Sequence, residues 1–286
     1  MRAFAYERPA RLADALALLA DEDAGARLLA GGTDLIIRIR DGSIQPRTVV
    51  DVKGIAELER GIRDDGDRLT IGARTTMTDL IRDPRIRSDY EALAEGAAVV
   101  GAVQIRNRAT LAGNICNASP AADTVPALLT FDARVVAVGP AGRRTIPIDA
   151  FFVRSGVTTL GQGELVSSIE LPKPTAARGS VHVRRTRRRG HDLASVTLAC
   201  VVDADRTTRI AYGSLGPRPL LVTDSTGLLA DPSAADEAKL ARLDQLFADA
   251  SPSPTSMRAS PEYRLAMLRV LGMRAVSTAI ERLAAR

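Results

Sequence analysis

Hydrophobic and polar positions alternate between helical and strand periodicity from the start of the chain. Leu12, Leu16 and Leu19 recur at helical spacing in RLADALALLAD, which predicts an amphipathic helix with its apolar stripe turned inward. ARLLA then predicts a strand, TDLIIRIR a short helix, and RTVVDV another strand. Together these elements predict a small α/β unit over residues 1–55.

A second unit is predicted over residues 56–174. LERGIRDDGDRLTIGA indicates two short strands around an Asp-Gly turn, and a helical stretch runs from Pro84 to about Val99. ARVVAVG and RRTIPI flank PAG, another hairpin signal, and ELVSSIELPKP closes the unit. The prolines at 172 and 174 predict a boundary, since the residue before a proline disfavours helix.

The remaining residues, 175–286, predict three strands followed by helices. The strand patterns are GSVHVRRTRR, ASVTLACVVDAD and TRIAYGSLG. The last helix begins at SPEYRLAMLRVLG, where Ser260 can cap and Pro261 suits the first helical position, whose N–H has no partner within the helix.

Composition limits the possible function classes. The chain has 286 residues and 45% hydrophobic content, enough to bury real cores. Its apolar runs are far shorter than the roughly 20 residues that span a bilayer. Acidic residues interrupt the apolar N-terminal stretch, so we expect a cytoplasmic protein. Two cysteines, Cys116 and Cys200, and two histidines, His182 and His191, provide no metal-ligand cluster, and we assign none of them a ligand role.

A net charge of +5 raises the possibility of nucleic-acid binding. The sharpest basic run is VRRTRRRGH, residues 183–191. As a strand it would send Arg184 and Arg188 to one face and Arg185, Arg187 and Arg189 to the other, which divides the charge. The run contains no aromatic residue for stacking on bases. A solvated or salt-bridged strand is therefore favoured over a nucleic-acid site.

Two adjacent glycines, Gly31 and Gly32, lie between a predicted strand and a predicted helix in LLAGGTDLIIRIRDG. The segment is neither the GxGxxG of a Rossmann unit nor a P-loop, because no GK[ST] follows. Strand, paired glycines and helix start can leave backbone N–H groups free to bind an anion. A tight turn with glycine at positive φ is the alternative interpretation.

A second loop, ATLAGNICNASPAAD, concentrates small residues that form hydrogen bonds. They are Thr110, Gly113, Asn114, Asn117, Ser119 and Asp123. Such a set can donate to and accept from a hydroxyl-bearing chain such as a ribityl or ribose group. Two loops of this kind in neighbouring units suggest a dinucleotide in the cleft between them.

At these motifs the chain resembles a known family. LLAGGTDLIIRIRDG followed by QIRNRATLAGNICNASPAADTVPALL is similar to the FAD-binding medium subunit of the molybdenum hydroxylases, the family of xanthine dehydrogenase and aerobic carbon monoxide dehydrogenase. The resemblance continues through FFVRSGVTTLGQGELVSSIELP, RRTRRRGHDLASVTLACVV, YGSLGPRPLLV and SPEYRLAMLRVL, and so covers nearly the whole chain.

The resemblance implies an α+β protein of the vanillyl-alcohol-oxidase-like (PCMH-type) FAD-binding fold. Two α/β subdomains, 1–55 and 56–174, would hold FAD, and 175–286 would form a three-stranded antiparallel sheet with helices. Carried over by position, the residues expected to contact the cofactor are Leu28, Leu29, Ala30, Gly31, Gly32, Thr33, Asp34, Leu35, Val100, Thr110, Leu111, Ala112, Gly113, Asn114, Asn117, Asp123, Leu160 and Arg184.

The same resemblance implies roles for several of these residues. The backbone from Ala30 to Asp34 would wrap the FAD pyrophosphate, and Asp34 would cap the following helix, because its carboxylate would repel phosphate. Asp123 would bond a hydroxyl, and Leu160 would pack on the isoalloxazine. Arg184 would place a cation near the flavin.

One position departs from the family pattern, which usually reads TxGGN. Ala112 replaces the first of the two glycines. Its methyl group requires either a negative φ or a slightly wider loop, and we still expect FAD to bind. Cys116 lies in the same loop without a neighbouring base, so we expect a packed small residue.

The resemblance implies a redox relay subunit with no catalytic residue and no metal site of its own. A large partner would hold the molybdopterin cofactor and a small partner the 2Fe-2S clusters. The complex would be a dimer of heterotrimers. FAD in this chain would pass electrons to an external acceptor. A stand-alone flavin-dependent oxidoreductase and a basic nucleic-acid-binding protein are the alternatives. No residue identifies the substrate, and no nicotinamide motif identifies the acceptor.

Overall fold

The computed structural model describes residues 2–188, 190 and 192–286. The predicted placement of Arg189 and the absence of a ligand role for His191 lie outside the described residues. Within them the sheets and helices form three consecutive units. One hydrophobic core includes residues of all three units, and a second core lies within the third unit.

The first unit contains a parallel three-stranded sheet of order β1-β3-β2. The predicted helix and strands are present, and β1 is a short edge strand that the apolar pattern does not reveal. The elements are β1 (Ala5–Glu7), α1 (Leu12–Ala20), β2 (Ala26–Leu29), α2 (Leu35–Arg40), β3 (Thr48–Asp51) and a 3₁₀ turn over Val52–Gly54. Every residue of the central strand β3 is buried, as expected for a parallel strand with neighbours on both edges.

The second unit contains an antiparallel five-stranded sheet of order β4-β5-β10-β6-β7 and a separate two-stranded ribbon, β8-β9. Its strands are β4 (Ile62–Asp64), β5 (Arg68–Gly72), β6 (Arg134–Gly139), β7 (Gly142–Pro147), β8 (Phe152–Arg154), β9 (Val157–Thr158) and β10 (Leu165–Pro172). Its helices are α3 (Met77–Arg82), α4 (Pro84–Asp89), α5 (Glu91–Ala98), α6 (Val103–Arg106), α7 (Leu111–Cys116), α8 (Val125–Thr130) and α9 (Ile148–Phe151). The helix predicted from Pro84 to Val99 is two helices, because the backbone of Tyr90 leaves the helical region.

The third unit contains an antiparallel sheet with four strands, so the predicted three-stranded sheet is corrected. The elements are β11 (Arg178–Arg185), β12 (Val196–Asp203), β13 (Thr208–Gly213), β14 (Leu220–Asp224), α10 (Asp236–Leu246) and α11 (Pro261–Ala284). The additional strand, β14, is an edge strand that pairs with β13. Ser260 caps α11 as predicted, since its hydroxyl accepts a hydrogen bond from Tyr263 N at 3.3 Å.

Arg178 joins the third unit to the second. This β11 residue is only 6% exposed, and its guanidinium carbon lies 4.8 Å from the ring centroid of Tyr90 and 4.6 Å from that of Phe131. Its Nη2 also donates to the carbonyl of Asp89 at 3.1 Å. Such cation–π contacts are strongest when the cation is desolvated, so this buried arginine fixes β11 against the second unit.

Glu95 makes a second connection between these units. Its Oε2 accepts from the backbone N–H of His182 at 2.8 Å, and its Oε1 accepts from Arg282 at 2.6 Å. One carboxylate on α5 therefore holds both the sheet and the last helix of the third unit.

Candidate functional site

The loop with the paired glycines leaves consecutive backbone amides without partners. The N–H groups of residues 31–34 have no hydrogen-bond acceptor among the described residues. Gly32 has a φ of +78°, a left-handed conformation that favours glycine. The turn interpretation is therefore correct for Gly32, and the same turn presents free amides of the kind that bind anions.

The second loop begins with a capped helix. The Thr110 hydroxyl accepts from the Gly113 N–H at 3.0 Å and caps α7. The loop is held from both sides, because Leu111 N donates to Thr75 O at 3.1 Å and Ser214 N, at the end of β13, donates to Pro120 O at 2.7 Å. The loop is therefore positioned by both neighbouring sheets.

The two loops meet backbone to backbone at Gly31. A β-carbon placed on Gly31 would lie 2.3 Å from the carbonyl oxygen of Arg108 and 3.0 Å from the α-carbon of Ala109. Across the same junction, Asn117 Nδ2 donates to Asp34 Oδ1 at 3.4 Å. The group that excludes a side chain from Gly31 is therefore the second loop itself.

Asp34 does not play the predicted capping role. It occupies the position before α2, but its side chain makes no capping hydrogen bond. Its carboxylate instead reaches Asn117, because α2 starts with a helical φ and ψ at Asp34 that turns the side chain away from the first amides. Asp34 is exposed, but the loop atoms around its carboxylate remove part of its hydration and raise its pKa, and the nearby Arg38 opposes that shift.

Ala112 fits the loop without a positive φ, the first of the two predicted possibilities. It lies inside α7 and is not among the residues with positive φ. Its methyl group is buried, with 6% of the residue exposed. Leu111 beside it is fully buried, so only the backbone of these two residues can face a ligand.

Asp123 lies in a buried polar cluster of which the sequence predicted only some members. Its Oδ2 accepts from Arg184 Nη1 at 2.8 Å, so the cation predicted near the flavin is paired with a carboxylate. Its Oδ1 is buried and has no hydrogen-bond partner in the part of the chain that the structure describes, with His182 Nε2 3.6 Å away. His182 Nε2 instead lies 2.9 Å from Thr197 Oγ1. The unpaired Oδ1 can accept a hydrogen bond from a hydroxyl of a ligand.

Asn114 also keeps a free donor. Its Oδ1 accepts from the Thr124 hydroxyl at 2.6 Å, which leaves the amide nitrogen without an acceptor among the described residues.

Four predicted apolar contact residues share one environment, partly buried against the first hydrophobic core: Leu28, Ala30, Val100 and Leu160. Leu29, Thr33 and Leu35 are likewise half-buried beside the first loop.

Sequence reasoning missed a basic recess of about 200 Å³ beside the two loops. It is lined by Ala30, Thr76, Asn107, Thr110 and four cations, Lys53, Arg60, Arg74 and Arg108. No local motif could have identified it, because its cations come from four separate segments. A larger recess, of about 330 Å³, lies at the end of α2 and includes none of the predicted site residues.

Other predicted groups take no part in this site. Cys116 is exposed, so the expectation of a packed residue is wrong. Within residues 2–188, 190 and 192–286, no group of three His, Cys, Asp or Glu side chains could hold a metal ion. No helix in those segments is long and apolar enough to cross a membrane.

Within strand β11, the arginines of the basic run lie on opposite faces of the sheet, as the alternation predicts. Arg184 turns inward to Asp123, whereas Arg185 on the opposite face is exposed and donates to the Tyr263 hydroxyl at 2.8 Å. The strand ends at Arg185, and Arg187 pairs with Asp192 at 3.3 Å. These residues therefore form no single cationic face.

Comparison with known proteins shows which family the chain belongs to. The family model described as the FAD binding domain in molybdopterin dehydrogenase matches residues 2–174, and the CO dehydrogenase flavoprotein C-terminal domain matches residues 182–279. The xanthine dehydrogenase FAD-binding subunit of Escherichia coli O157:H7 is 34% identical over 96% of this chain and 95% of its own.

Carbon monoxide dehydrogenase of Hydrogenophaga pseudoflava is similar in both sequence and structure. Its medium chain is 32% identical over 98% of both chains. A solved structure of that enzyme, which lacks the Mo-pyranopterin moiety of its cofactor, matches with a TM-score of 0.90 over 98% of both chains. The chain thus belongs to the FAD-binding medium subunits of the molybdenum hydroxylases, the oxidoreductase family of xanthine dehydrogenase and carbon monoxide dehydrogenase.

Proposed function

We propose that this chain is the relay subunit of a molybdenum hydroxylase, carrying electrons from the 2Fe-2S clusters of a small partner to an external acceptor. A large partner would hold the molybdopterin cofactor and oxidise the substrate. When bound, FAD supplies the redox chemistry, since a flavin can exchange one or two electrons. The chain's own residues bind and orient it. The observation that supports this role best is the junction of the two loops, with the free amides of residues 31–34 beside it.

The residues at the junction fit the parts of a flavin dinucleotide. The free amides of residues 31–34 suit the diphosphate, because backbone N–H groups in a glycine turn bind phosphate oxygens. The unpaired Oδ1 of Asp123 suits a ribityl hydroxyl, which would satisfy a buried acceptor. The half-buried Leu28, Val100 and Leu160 would exclude water from the ring system.

The ion pair of Asp123 and Arg184 has a separate role in this proposal. Arg184 fixes the carboxylate by occupying Oδ2, so Oδ1 is aimed in one direction. Because the pair is close to neutral, the cluster would orient the cofactor more than it would attract negative charge.

The first test is the absorbance spectrum of the purified chain, with identification of any nucleotide released on denaturation. Gly32→Val should lose the flavin bands, because valine disfavours a φ of +78° and its β-carbon would lie 2.8 Å from Leu29 Cδ1. Gly42→Val is the matched control, since Gly42 has a φ of +82° but no atom within 4 Å of an added β-carbon. Flavin retained in Gly32→Val, or absent from the wild type and not taken up from solution, would contradict the proposed cofactor site.

The second test addresses the partners. Co-expression with the genes of the large and small subunits should give one complex, and a dimer of heterotrimers predicts a mass of two copies of each chain. The complex should reduce an electron acceptor when its substrate is supplied, whereas this chain alone should not. Organic substrate turnover by the isolated chain would favour the alternative of a stand-alone flavin oxidoreductase.

A further inference from the structure

The basic recess beside the two loops carries a net positive charge. Lys53 pairs with Asp51 at 2.6 Å, and Arg60 pairs with Asp79 at 2.9 Å. The other two lining cations, Arg74 and Arg108, have no carboxylate within 4.0 Å among the described residues. Two of the four positive charges are therefore uncompensated.

Arg74 shows that the recess has an unmet hydrogen-bonding requirement. Its Nη1 donates to the carbonyl of Lys53 at 2.5 Å, but its Nε is buried and has no acceptor within residues 2–188, 190 and 192–286. A buried donor on a charged group is costly to leave unpaired, so such a group in a native protein calls for a missing partner. The partner must be an acceptor, and the surrounding charge favours an anion.

Both unpaired arginines are held by fixed backbone. Arg74 N donates to the carbonyl of Glu59 at 3.1 Å, and the next residues form the capped start of α3. Arg108 N donates to the carbonyl of Ile105 at 2.9 Å, and its own carbonyl is the group that meets Gly31. The backbone that carries both arginines is therefore fixed, so the entropy lost on binding is that of their side chains.

We infer that this recess is a phosphate-binding subsite whose principal ligand-contacting residue is Arg74, assisted by Arg108. A guanidinium presents donors in a planar fork that matches two phosphate oxygens. The recess also includes Ala30 and Thr110, which belong to the proposed FAD site. The phosphate belongs either to the FAD diphosphate or to a second nucleotide beside it. The inference rests on the proposed function only for the first of these sources.

The decisive experiment measures FAD and pyrophosphate binding to Arg74→Met. Methionine keeps an apolar stem of similar length and removes the charge and the donors. The matched control is Arg87→Met on α4, an exposed arginine outside the recess. FAD dissociation constants are measured by fluorescence titration of the apoprotein between 50 and 500 mM NaCl, and pyrophosphate binding by calorimetry on apoprotein and FAD-loaded protein.

The two possible sources of the phosphate predict different results. If the phosphate is that of FAD, Arg74→Met should weaken FAD binding roughly 10-fold or more at low salt and reduce the salt dependence, since charge-assisted hydrogen bonds are strong. Pyrophosphate should then compete with FAD. If the phosphate belongs to a second nucleotide, FAD affinity should be unchanged, and pyrophosphate should bind FAD-loaded wild type but not FAD-loaded Arg74→Met.

Other outcomes separate this inference from the proposed function. Unchanged FAD and pyrophosphate binding in Arg74→Met would overturn the inference and leave the proposed function intact. Wild type that never binds FAD would count against the proposed function, while Arg74-dependent pyrophosphate binding to the apoprotein would still support the recess. If Arg74→Met does not fold, Arg108→Met gives the same comparison, because the Arg108 side chain is exposed.

Discussion

Replacing Gly31 with alanine tests whether the two loops form the site by direct backbone contact. The new β-carbon would lie 2.3 Å from Arg108 O and 2.9 Å from the carbonyl carbon of the same residue. These are backbone atoms, so no side-chain rotation can relieve the clash. Gly31 is not in the left-handed region, and steric overlap is therefore the only penalty.

The size of the effect follows from that geometry. A close carbon–oxygen contact is about 3.3 Å, so the loops must separate by roughly 1 Å. Overpacking of this kind typically costs about 1–3 kcal/mol. If the full cost falls on the bound conformation, FAD affinity should decrease roughly 5- to 150-fold. Part of the cost will instead lower the melting temperature, because the loops also meet in the free protein.

The assay is FAD titration of the apoprotein together with a thermal melt. Gly54→Ala is the matched control, because Gly54 lies in the same unit, has an ordinary φ, and would place its β-carbon no closer than 3.5 Å to any atom. Gly54→Ala should behave like wild type. FAD affinity within twofold of wild type and an unchanged melting temperature for Gly31→Ala would refute the loop contact.

Three further predictions concern stability. Arg178→Met should lower the free energy of unfolding by about 2–4 kcal/mol in a urea titration, because it removes two cation–π contacts and a buried charged hydrogen bond. A change under 0.5 kcal/mol would contradict the role of Arg178 in joining the third unit to the second. Gly179→Ala should prevent α11 from packing normally, since its β-carbon would lie 1.9 Å from Ala279 O, and a wild-type melting temperature would contradict this. Burial alone would raise the pKa of Asp224, but hydrogen bonds to its carboxylate lower it below its ordinary value of 3.8. Its stabilising effect should therefore be complete above that pH and be lost as the pH falls below it, and the melting temperature of Asp224→Asn should depend less on pH in this acid range than that of wild type.

Local pattern predicted most of the regular structure. Helical spacing located α1, and paired turn residues located the β4–β5 and β6–β7 hairpins, because these signals depend on residues close in sequence. The edge strands β1 and β14 were missed because they are short. β1 is exposed along its whole length and β14 is only partly buried, so their apolar alternation is weak. The break at Tyr90 was also missed, since no glycine or proline marks it.

The candidate site was likewise predictable only where it depends on short motifs. The two glycine-bearing loops were recognised from short motifs, and the resemblance supplied the cofactor. Pairing between distant residues was not predictable: Arg184 meets Asp123 across 61 positions, and the recess around Arg74 draws on four segments. Each such contact depends on how the units pack, which no local pattern encodes.

The attachment of β11 to the second unit also determines where related subunits could be recombined. A chimera that exchanges residues 175–286 alone would transplant Arg178 and Arg282 without the aromatic rings and the Glu95 carboxylate that receive them. A crossover of that kind would separate residues that contact each other, even though it falls between two sheets. A functional hybrid should therefore inherit α4, α5 and α8 from the same parent as the C-terminal sheet.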